Sequence, residues 1–467
     1  MPARSRTARL VVVANRLPVR RVKDGEGRSG WQTSPGGLVS ALAPILRRDG
    51  GSWIGWAGYA GDAPEPFEHD GIRQQPVALS SSDVDLFYKG FSNTTLWPLY
   101  HDAVRRPEFH RHWWWPYRDV NRRFAERVAE HLGPRDTAWV HDYQLQLVPG
   151  MLRELRPRAR IGYFSHVPFP PVELFAQLPW RREILEGLLG ADLVGFQTRD
   201  GALNFCRAAR RFTDATAAKS PGQVLRYRGR EVRAASFPIS IDVQRFEALA
   251  NDPAVQARAF RVREQLGSVR RVLLGVDRLD YTKGIDVRLR AFETLLANDP
   301  SAVDDVVLVQ VAVPSRELVP DYAEMRNRIE QQVGNLNGTF GLPGRIPLVY
   351  LYRSLPVEEL VAYYLAADVM CVTPLRDGMN LVAKEYVATR TRNTGALVLS
   401  EFTGSAIELK QALLVNPHDV DGVAAALERA ASMTPREARR RMASMRRVVE
   451  RADVHSWADG FLGALAS

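Results

Sequence analysis

The sequence predicts an α/β protein built on two parallel sheets. Short apolar, β-branched segments alternate with segments of helical periodicity along the 467 residues, which is typical of βαβ units. The alternation runs in two series, and in each one polar residues follow the strand ends. A chain of this length also exceeds one ordinary hydrophobic core. We therefore expect two α/β domains with parallel sheets, residues 1–238 and 239–449, followed by a helix at about 450–467.

The composition predicts a soluble cytoplasmic protein. Apolar residues make up 45% and charged residues 25% of the chain, as in globular proteins. The apolar run Leu10–Ala14 is too short for a signal peptide, and no run approaches the ~20 residues of a membrane span. Cys206 and Cys371 lie far apart in apolar segments, so we expect buried thiols in a reducing compartment. These features predict no membrane partner.

The formal net charge of +10 raises nucleic acid as a partner. The arginines are scattered, however, and the densest cluster, Arg436–Arg447, has the spacing of a solvated helix face. A basic balance also suits an enzyme that acts on phosphorylated anions. We therefore expect small-molecule substrates and no nucleic acid.

The first series contains the apolar strands and the helices of the N-terminal domain. We predict a mobile loop at Val19–Ser34, which is rich in glycine and charge, and a hairpin-like insert at 213–233 around Ser220-Pro221-Gly222. The predicted strands are Leu10–Ala14, Ser52–Gly58, Thr137–Val140, Arg160–Phe164 and Asp192–Phe196, with helices at Leu38–Leu46, Leu145–Leu155 and Arg182–Leu189.

The second series follows a linker-like segment at Ile241–Phe246. Its predicted strands are Val272–Val276, Val306–Val313, Pro347–Leu351, Val369–Thr373 and Ala396–Leu399. Its predicted helices are Pro253–Leu266, Met379–Ala388, Val420–Ala431, Pro435–Glu450 and Val454–Leu465.

A strand, a polar turn and a helix start follow one another at residues 367–388. Pro374 ends the strand, and Arg376-Asp377-Gly378 turns the chain. Backbone N–H groups of Gly378–Leu381 at the helix start favour phosphate or sugar oxygens. Glu385, about two turns into the helix, could accept from a ribose or sugar hydroxyl. The alternative is an ordinary strand–loop–helix with a solvated turn.

Arg278 and Lys283 flank another strand-to-helix turn. A guanidinium fork and an ammonium at this spacing could both bind a diphosphate and stabilise it as a leaving group. The alternative is a turn whose cations pair with Asp277 and Asp280. Since no Asp-x-Asp stands at a strand end, we expect assistance by cations rather than by Mg²⁺.

Asp142 and His166 follow strands of the first series and are candidates for binding sugar hydroxyls. Gly36-Gly37 would let a ligand approach a helix start, although a structural turn explains the pair equally well. Trp97 lies in an aromatic segment that suits either core packing or a sugar. Neither half carries GxGxxG after its first strand, and no P-loop motif is present, which disfavours a nicotinamide or P-loop enzyme.

Several of these motifs together closely resemble those of trehalose-6-phosphate synthases. The resemblance runs in order from about residue 10 to 460, and it implies a GT-B fold: two Rossmann-like domains facing across a deep cleft, with a C-terminal helix that crosses back to the first domain. The matching motifs are Asn15–Pro18, Gly36-Gly37, the Tyr88 to Trp97 segment, Trp139–Tyr143, His166–Pro170, Asp277–Gly284 and Thr373–Tyr386.

The resemblance implies a retaining hexosyltransferase. Its reaction moves glucose from UDP-glucose or GDP-glucose to glucose 6-phosphate, with no metal or further cofactor beside the nucleotide sugar. We expect a front-face mechanism in which the leaving phosphate takes the acceptor proton. The sequence shows no obvious carboxylate nucleophile, which a retaining glycosidase would need.

The resemblance also implies a role for each candidate residue. The acceptor would lie on the first domain and the nucleotide sugar on the second. The catalytic set is Arg278, Lys283, Asp142 and His166; the acceptor set is Arg16, Tyr88, Trp97, Asp142 and Arg316; the donor set is Gly36, Gly37, Arg278, Lys283, Leu355, Asp377, Gly378, Met379, Asn380, Leu381, Val382 and Glu385, with His166 also on the donor glucose.

Ser165, the long Val19–Ser34 loop and Leu355 depart from the family pattern and leave the nucleotide open. A pseudo-glycosyltransferase that joins cyclitols and a non-catalytic sugar-phosphate sensor are the alternatives. The complete set of sugar-ring residues favours glucose chemistry over the first, and the presence of both Arg278 and Lys283 argues against the second. The oligomeric state stays open, with a homo-oligomer as one option.

Overall fold

The computed structural model describes residues 9–23, 29–34, 37–220, 222–267, 271–315 and 320–467. The chain forms two compact units. Unit 1 comprises Met1–Ile239 together with His455–Ser467, and unit 2 comprises Ser240–Val454.

Unit 1 is built around one large sheet, with a π-helix at Val84–Leu96 and a 3-10 turn at Tyr143–Leu145. Its strands are β1 Leu10–Arg16, β2 Val19–Lys23, β3 Ser29–Thr33, β4 Gly51–Trp56, β5 Phe67–His69, β6 Ile72–Val77, β7 Thr137–His141, β8 Arg160–Ser165, β9 Leu193–Phe196, β10 Thr216–Ala217, β11 Gln223–Tyr227 and β12 Arg230–Ser236. Its helices are α1 Gly37–Asp49, α2 Ser81–Asp83, α3 Trp97–Tyr100, α4 Arg111–His131, α5 Val148–Leu155, α6 Val172–Phe175, α7 Arg181–Leu188 and α8 Arg199–Phe212.

The strand order of the unit 1 sheet reverses between β1 and β7. The order is β10-β11-β12-β9-β8-β7-β1-β4-β6-β5, and the run from β12 to β6 is parallel. The chain moves from β1 to β4 and β6 and then returns to β7. In open α/β sheets, ligands bind at the carboxyl ends of the strands beside such a switch point.

Unit 2 has the same arrangement with six parallel strands in the described chain. The order β15-β14-β13-β16-β17-β18 places its switch point between β13 and β16. Its strands are β13 Arg271–Arg278, β14 Val306–Val313, β15 Leu348–Tyr352, β16 Val369–Val372, β17 Ala396–Ser400 and β18 Leu413–Val415. Its helices are α9 Val243–Asn251, α10 Pro253–Gln265, α11 Ile285–Asn298, α12 Pro320–Phe340, α13 Val357–Ala366, α14 Leu381–Thr389, α15 Gly404–Glu408, α16 Val420–Ala431 and α17 Pro435–Arg451, with 3-10 turns at Tyr281–Lys283 and Pro300–Asp304.

The strands of unit 2 are apolar because both faces of its sheet are buried. Two separate hydrophobic clusters lie on the two sides of its sheet: β14 sends Val307, Val309 and Val311 into one and Leu308 and Ala312 into the other. A parallel strand covered on both faces has no solvated side, so it needs a continuous apolar run. This is why the predicted strand Val306–Val313 agrees with the structure residue for residue.

The last helix, α18 Val454–Ala466, packs on the sheet of unit 1. The ring of Phe461 stacks on Trp139 at a centroid distance of 4.5 Å. A Cβ atom at Gly195 would lie 2.7 Å from the Phe461 ring, so the absence of a side chain there lets the helix approach the strands. The expected α/β class and the return of the C-terminal helix to the first unit are confirmed.

The prediction of a mobile loop at Val19–Ser34 is wrong. Strands β2 and β3 pair antiparallel, with Val19 opposite Thr33, and residues 24–28 lie outside the described chain. The Arg20 guanidinium donates to Gln32 Oε1 at 3.0 Å across the pair. Trp31 stacks on Phe67 of β5 at 4.6 Å. These contacts stabilise a hairpin whose sequence shows no clear alternation of polar and apolar residues.

Two other predicted connections can be compared with the structure. The predicted hairpin around Ser220-Pro221-Gly222 is confirmed, because β10 pairs antiparallel with β11 on either side of this segment, of which Pro221 lies outside the described chain. A second hairpin joins β11 to β12 through Arg228-Gly229, with φ of 47° and 76°. Positive φ at both positions suits a tight hairpin. Its second strand, β12, joins the parallel sheet beside β9. The segment predicted as a linker, Ile241–Phe246, already contains the start of α9, which Asp242 caps by accepting from the Arg245 N–H.

Candidate active site

Arg16 lies at the carboxyl end of β1, beside the unit 1 switch point. Its guanidinium lies over the Trp56 ring, 4.7 Å from the centroid. Gly58 has φ of 95°, and a Cβ atom there would overlap the guanidinium. Although Arg16 is exposed as a residue, partial desolvation of its guanidinium lowers its pKa, while the nearby Tyr88 acts in the opposite direction. Trp56 and Gly58 thus hold a cation at the strand end.

Tyr88 and Trp97 lie in the aromatic segment that includes the π-helix. The Tyr88 ring is 5.8 Å from that of Trp56. Asn93 donates to the Tyr88 carbonyl at 2.8 Å, and Tyr143 O–H donates to Asn93 Oδ1 at 2.8 Å. Trp97 is 5% exposed and contacts the Tyr143 ring at 5.5 Å. A hydrogen-bonded and aromatic framework therefore surrounds both candidates.

Asp142 follows β7 with a strained backbone. Its φ of 75° and ψ of 169° lie in a region that residues with a side chain rarely adopt, at a typical cost of about 1–3 kcal/mol. The Asp142 N–H donates to the Phe164 carbonyl at 2.8 Å, and Asp142 Oδ1 accepts from the His166 backbone N–H at 3.2 Å. Strain of this kind clusters at functional sites because the surrounding structure must enforce it.

His166 follows β8 and contacts a second histidine. His141 Nδ1 lies 3.0 Å from His166 Nε2. Burial lowers the pKa of His166 to about 3. Burial, with a smaller contribution from His166, also holds the pKa of His141 well below its usual range. Both rings are therefore neutral near pH 7.

In unit 2, Arg278 forms the exposed end of β13, and Lys283 lies on the 3-10 turn that follows. The Lys283 ammonium pairs with Asp377 Oδ2 at 2.5 Å. Asn380 donates to the same oxygen at 3.1 Å. The structure thus brings together Lys283, Asp377 and Asn380, three donor-side candidates from distant parts of the sequence.

The aspartates of the Asp277–Lys283 turn have other partners. Asp280 Oδ1 accepts from Thr282 through the backbone N–H at 3.1 Å and the hydroxyl at 3.0 Å. Asp277 Oδ2 pairs with the fully buried Arg288 at 2.5 Å. The observed partner of Lys283 is Asp377, whereas the alternative interpretation paired it with the aspartates of its own turn.

Arg288 ties three strands of unit 2 together close to the switch point. Besides Asp277 of β13, it donates from Nη1 to Gln310 Oε1 of β14 at 2.8 Å. It also donates from Nε to Thr373 Oγ1, just after β16, at 3.1 Å. No site role was predicted for Arg288. An arginine at an apolar-stripe position of α11, between Ile285 and Phe292, was the available signal.

The helix predicted from Met379 begins two residues later. Helix α14 spans Leu381–Thr389, with Asn380 as its cap at φ of 71°. Asn380 Oδ1 accepts from the Ala383 N–H at 3.2 Å. Met379 is buried, whereas Leu381 and Val382 are half-buried at the first turn. Asn380 therefore connects the start of the helix to Asp377. If the helix began at Met379, Asn380 would not be its cap.

Glu385 is held one helical turn further along α14. The Tyr364 O–H donates to Glu385 Oε2 at 2.8 Å. Burial raises the pKa of this carboxyl, and the Tyr364 hydrogen bond partly opposes that rise. Leu355 packs against the same apolar cluster that contains Tyr364. Glu385 and Leu355 thus lie on one side of the unit 2 sheet.

The remaining site candidates are Gly36, Gly37 and Arg316. Gly37 is the first residue of α1, whereas Gly36 and Arg316 lie outside the described residues. Among the side chains that the structure describes, no group of three or more His, Cys, Asp or Glu could hold a metal ion. No helix in the described ranges is long and apolar enough to cross a membrane.

Comparison with known proteins identifies the family. The model of glycosyltransferase family 20 matches residues 8–467. The chain belongs to glycosyltransferase family 20. Among its relatives, the trehalose-6-phosphate synthase of Mycolicibacterium vanbaalenii is 56% identical over 477 residues, which cover 100% of this chain and 97% of that protein.

Solved structures agree with the family 20 assignment. An α,α-trehalose-phosphate synthase (UDP-forming) from Burkholderia xenovorans, in complex with glucose 6-phosphate, superposes with a TM-score of 0.91 at 35% identity and covers 98% of this chain and 100% of its own. A trehalose-6-phosphate synthase studied with bisubstrate glycomimetics of glycosyltransfer with retention has a TM-score of 0.88 at 36% identity and covers 98% and 99%.

As a member of family 20, the chain is a hexosyltransferase that uses a nucleotide sugar as co-substrate. The GT-B fold expected from the sequence is confirmed by these superpositions. In this family 20 chain Arg16, Asp142 and His166 lie at or just after strand ends close to the unit 1 switch point, and Arg278 and Lys283 do so in unit 2. Gly58 and His141, for which no site role was predicted, lie directly against Arg16 and His166, and Arg288 pairs with Asp277 of β13.

Proposed function

We propose that the chain transfers glucose from UDP-glucose to glucose 6-phosphate with retention of configuration, giving α,α-trehalose 6-phosphate. The observation that carries this proposal is the pairing of Lys283 with Asp377 beside Arg278 at the unit 2 switch point. Two cations close together in the chain, of which Lys283 is held by Asp377, suit a diphosphate that leaves with negative charge. The relatives described as trehalose-6-phosphate synthases support the choice of substrates.

On the donor side we assign unit 2. Arg278 and Lys283 bind the diphosphate, and Gly36-Gly37 add backbone contacts. Asp377 and the backbone of residues 378–382 bind the donor glucose, while Glu385 accepts from the ribose hydroxyls and Leu355 lies near the base. The Asn380 cap supports this assignment, because it fixes the chain between Asp377 and α14.

On the acceptor side we assign unit 1. Arg16, Tyr88 and Arg316 bind the phosphate of glucose 6-phosphate. Asp142 accepts from the acceptor's hydroxyls, and Trp97 shapes the pocket. The guanidinium over Trp56 and the strained backbone of Asp142 support these roles, since both are held by specific neighbours.

The mechanism requires a group that takes the proton from the acceptor hydroxyl. A general base works best when its pKa lies near the operating pH. His166, whose pKa is lowered to about 3, is too weak a base for this task near neutrality. In line with the front-face mechanism that the resemblance implies, we assign the acceptor proton to the leaving phosphate, held by Arg278 and Lys283. His166 then bonds the donor glucose as a neutral ring.

UDP-glucose is the preferred donor because the superposed Burkholderia enzyme is described as UDP-forming. GDP-glucose is the second candidate, since Leu355 departs from the family pattern near the base.

The test is nucleotide release from UDP-, GDP- and ADP-glucose, each with glucose 6-phosphate and EDTA, with the product linkage determined by NMR. Turnover with UDP-glucose and an α,α-linked product is expected. Turnover only with GDP-glucose would correct the donor. Loss of activity with EDTA, restored by Mg²⁺, would overturn the metal-independent assignment. No turnover with any donor, despite glucose 6-phosphate binding, would point to the cyclitol transferase or the sensor instead.

A further inference from the structure

A pair of histidines, one buried and one half-buried, lies at the unit 1 switch point, and one member has no role in the proposed reaction. His141 is the last residue of β7 and is fully buried. Its Nδ1 lies 3.0 Å from Nε2 of His166. Within the described chain, its Nε2 is buried without a hydrogen-bond partner.

Aromatic side chains enclose the pair. The Trp139 ring is 4.7 Å from the His141 ring, and the Phe164 ring is 4.8 Å from the His166 ring. Trp457 of α18 lies 6.2 Å from the His166 ring. An apolar surrounding of this kind favours neutral imidazoles. A single proton therefore lies between Nδ1 of His141 and Nε2 of His166.

Two placements of that proton are compatible with the distance. If His166 Nε2 donates, His141 carries its own proton on Nε2 and leaves a buried N–H without an acceptor. If His141 Nδ1 donates, only an acceptor lone pair is left unpaired. Orphaned N–H groups are the rarer of the two in protein interiors, and an unmade hydrogen bond to a buried donor typically costs about 1–3 kcal/mol.

We propose that His141 is a positioning residue: its Nδ1–H donates to Nε2 of His166 and fixes His166 in the tautomer protonated at Nδ1. His166 then presents a hydrogen-bond donor, rather than an acceptor, to an oxygen of the donor sugar. The hydrogen bond also fixes the rotation of the His166 ring. The assignment of a sugar ligand to His166 rests on the proposed function, whereas the tautomer does not.

The first test is ¹⁵N NMR of histidine-labelled protein without substrate, which distinguishes the two neutral tautomers by their nitrogen shifts. We expect His166 to be protonated at Nδ1 and His141 at Nδ1. His166 protonated at Nε2 in the wild-type protein would overturn the proposal. Because no substrate is present, this result is independent of whether the proposed reaction is correct.

The second test compares two substitutions of similar size. His141→Asn keeps an amide donor near the position of Nδ1, whereas His141→Leu removes it. With UDP-glucose, we expect His141→Leu to lower kcat by about tenfold, as the loss of one well-aligned hydrogen bond allows, with little change in KM for glucose 6-phosphate. His141→Asn should restore most of the activity and the Nδ1 tautomer of His166.

Equal activity of the two variants, with His166 in the same tautomer in both, would show that His141 only fills space. Circular dichroism and the Tm of each variant check folding. If His141→Leu fails to fold, the wild-type spectrum and His141→Asn still decide the proposal. If the wild-type protein turns over no donor, the proposed function fails while the tautomer assignment stands.

Discussion

At the unit 1 switch point two neutral imidazoles and a strained carboxylate lie among aromatic side chains, and the Arg16 guanidinium lies over Trp56 at the end of β1. At the unit 2 switch point the polar side chains form ion pairs, Lys283 with Asp377 and Arg288 with Asp277. The sheets share a topology in which the strand order reverses once, so topology alone does not set this difference. The side chains at the strand ends do. Neutral donors suit sugar hydroxyls, and fixed cations suit a diphosphate.

The two regions also differ in how their buried ionisable side chains are stabilised. In unit 1, burial keeps His141 and His166 uncharged by lowering their pKa values. In unit 2, the buried guanidinium of Arg288 is paired with an anion and two polar side chains. A buried charge tolerates the loss of a partner poorly, because the remaining charge then lies in a medium of low polarity. The variants below test this contrast.

The largest expected effect is on the stability of unit 2. Arg288→Met should lower the free energy of unfolding by about 3–5 kcal/mol, because Asp277 would remain buried without its cation. Calorimetry of the variant should show a lower Tm for the transition of that unit. The double variant Arg288→Met with Asp277→Asn should recover part of the loss, since it removes the orphaned charge. A single variant as stable as the wild type would contradict the proposed importance of the pair.

The next effect is on turnover. Lys283→Ala and Arg278→Ala should each lower kcat by at least about tenfold, as is typical when a group that stabilises transition-state charge is removed. Steady-state rates with UDP-glucose and glucose 6-phosphate measure this. Lys410→Ala is the matched control, because Lys410 is an exposed cation of the same unit. Wild-type kcat in both site variants would exclude them from leaving-group stabilisation.

A smaller effect concerns the acid stability of unit 1. The unfolded chain takes up protons on histidine near pH 6.5, whereas folded His166 resists protonation down to about pH 3. The unfolded state thus binds more protons in this range, and stability should fall as the pH drops from about 6.5. The Tm of wild-type protein between pH 7.5 and 5 should fall more steeply than that of the double variant His141→Asn with His166→Asn. Parallel slopes would show that these rings do not carry the dependence.

The smallest expected effect is on the pH dependence of stability in unit 2. Its sign should be opposite to that of the histidine effect in unit 1. Folded Glu385 has a raised pKa, so it keeps its proton at pH values where the unfolded chain has lost it. Its contribution to stability is present below about pH 4.5 and is lost as the pH rises through the folded pKa. Relative to wild type, Glu385→Gln should therefore gain Tm as the pH increases. A Tm difference that is constant with pH would contradict this linkage.

The sequence was sufficient for features that depend on local pattern. The apolar run Val306–Val313 specified a doubly covered strand, and the polar residues after strands marked both switch points. It was insufficient where a distant partner decides. The β2–β3 hairpin depends on Trp31 stacking on Phe67, and Lys283 pairs with Asp377, 94 residues away. His141 lay inside a quoted motif, but only the neighbouring strand shows which side chain it contacts.

The position of α18 has a consequence for biosynthesis. The helix covers Trp139, Phe164 and Gly195 of unit 1, yet it follows about 215 residues of unit 2 in the chain. At the usual pace of translation, ~5–20 residues per second, the ribosome needs roughly 10–40 seconds to make that intervening stretch. During this interval the nascent first unit carries an uncovered apolar strip on its sheet. Chaperone contact with the nascent chain should therefore concentrate there and end when Phe461 emerges.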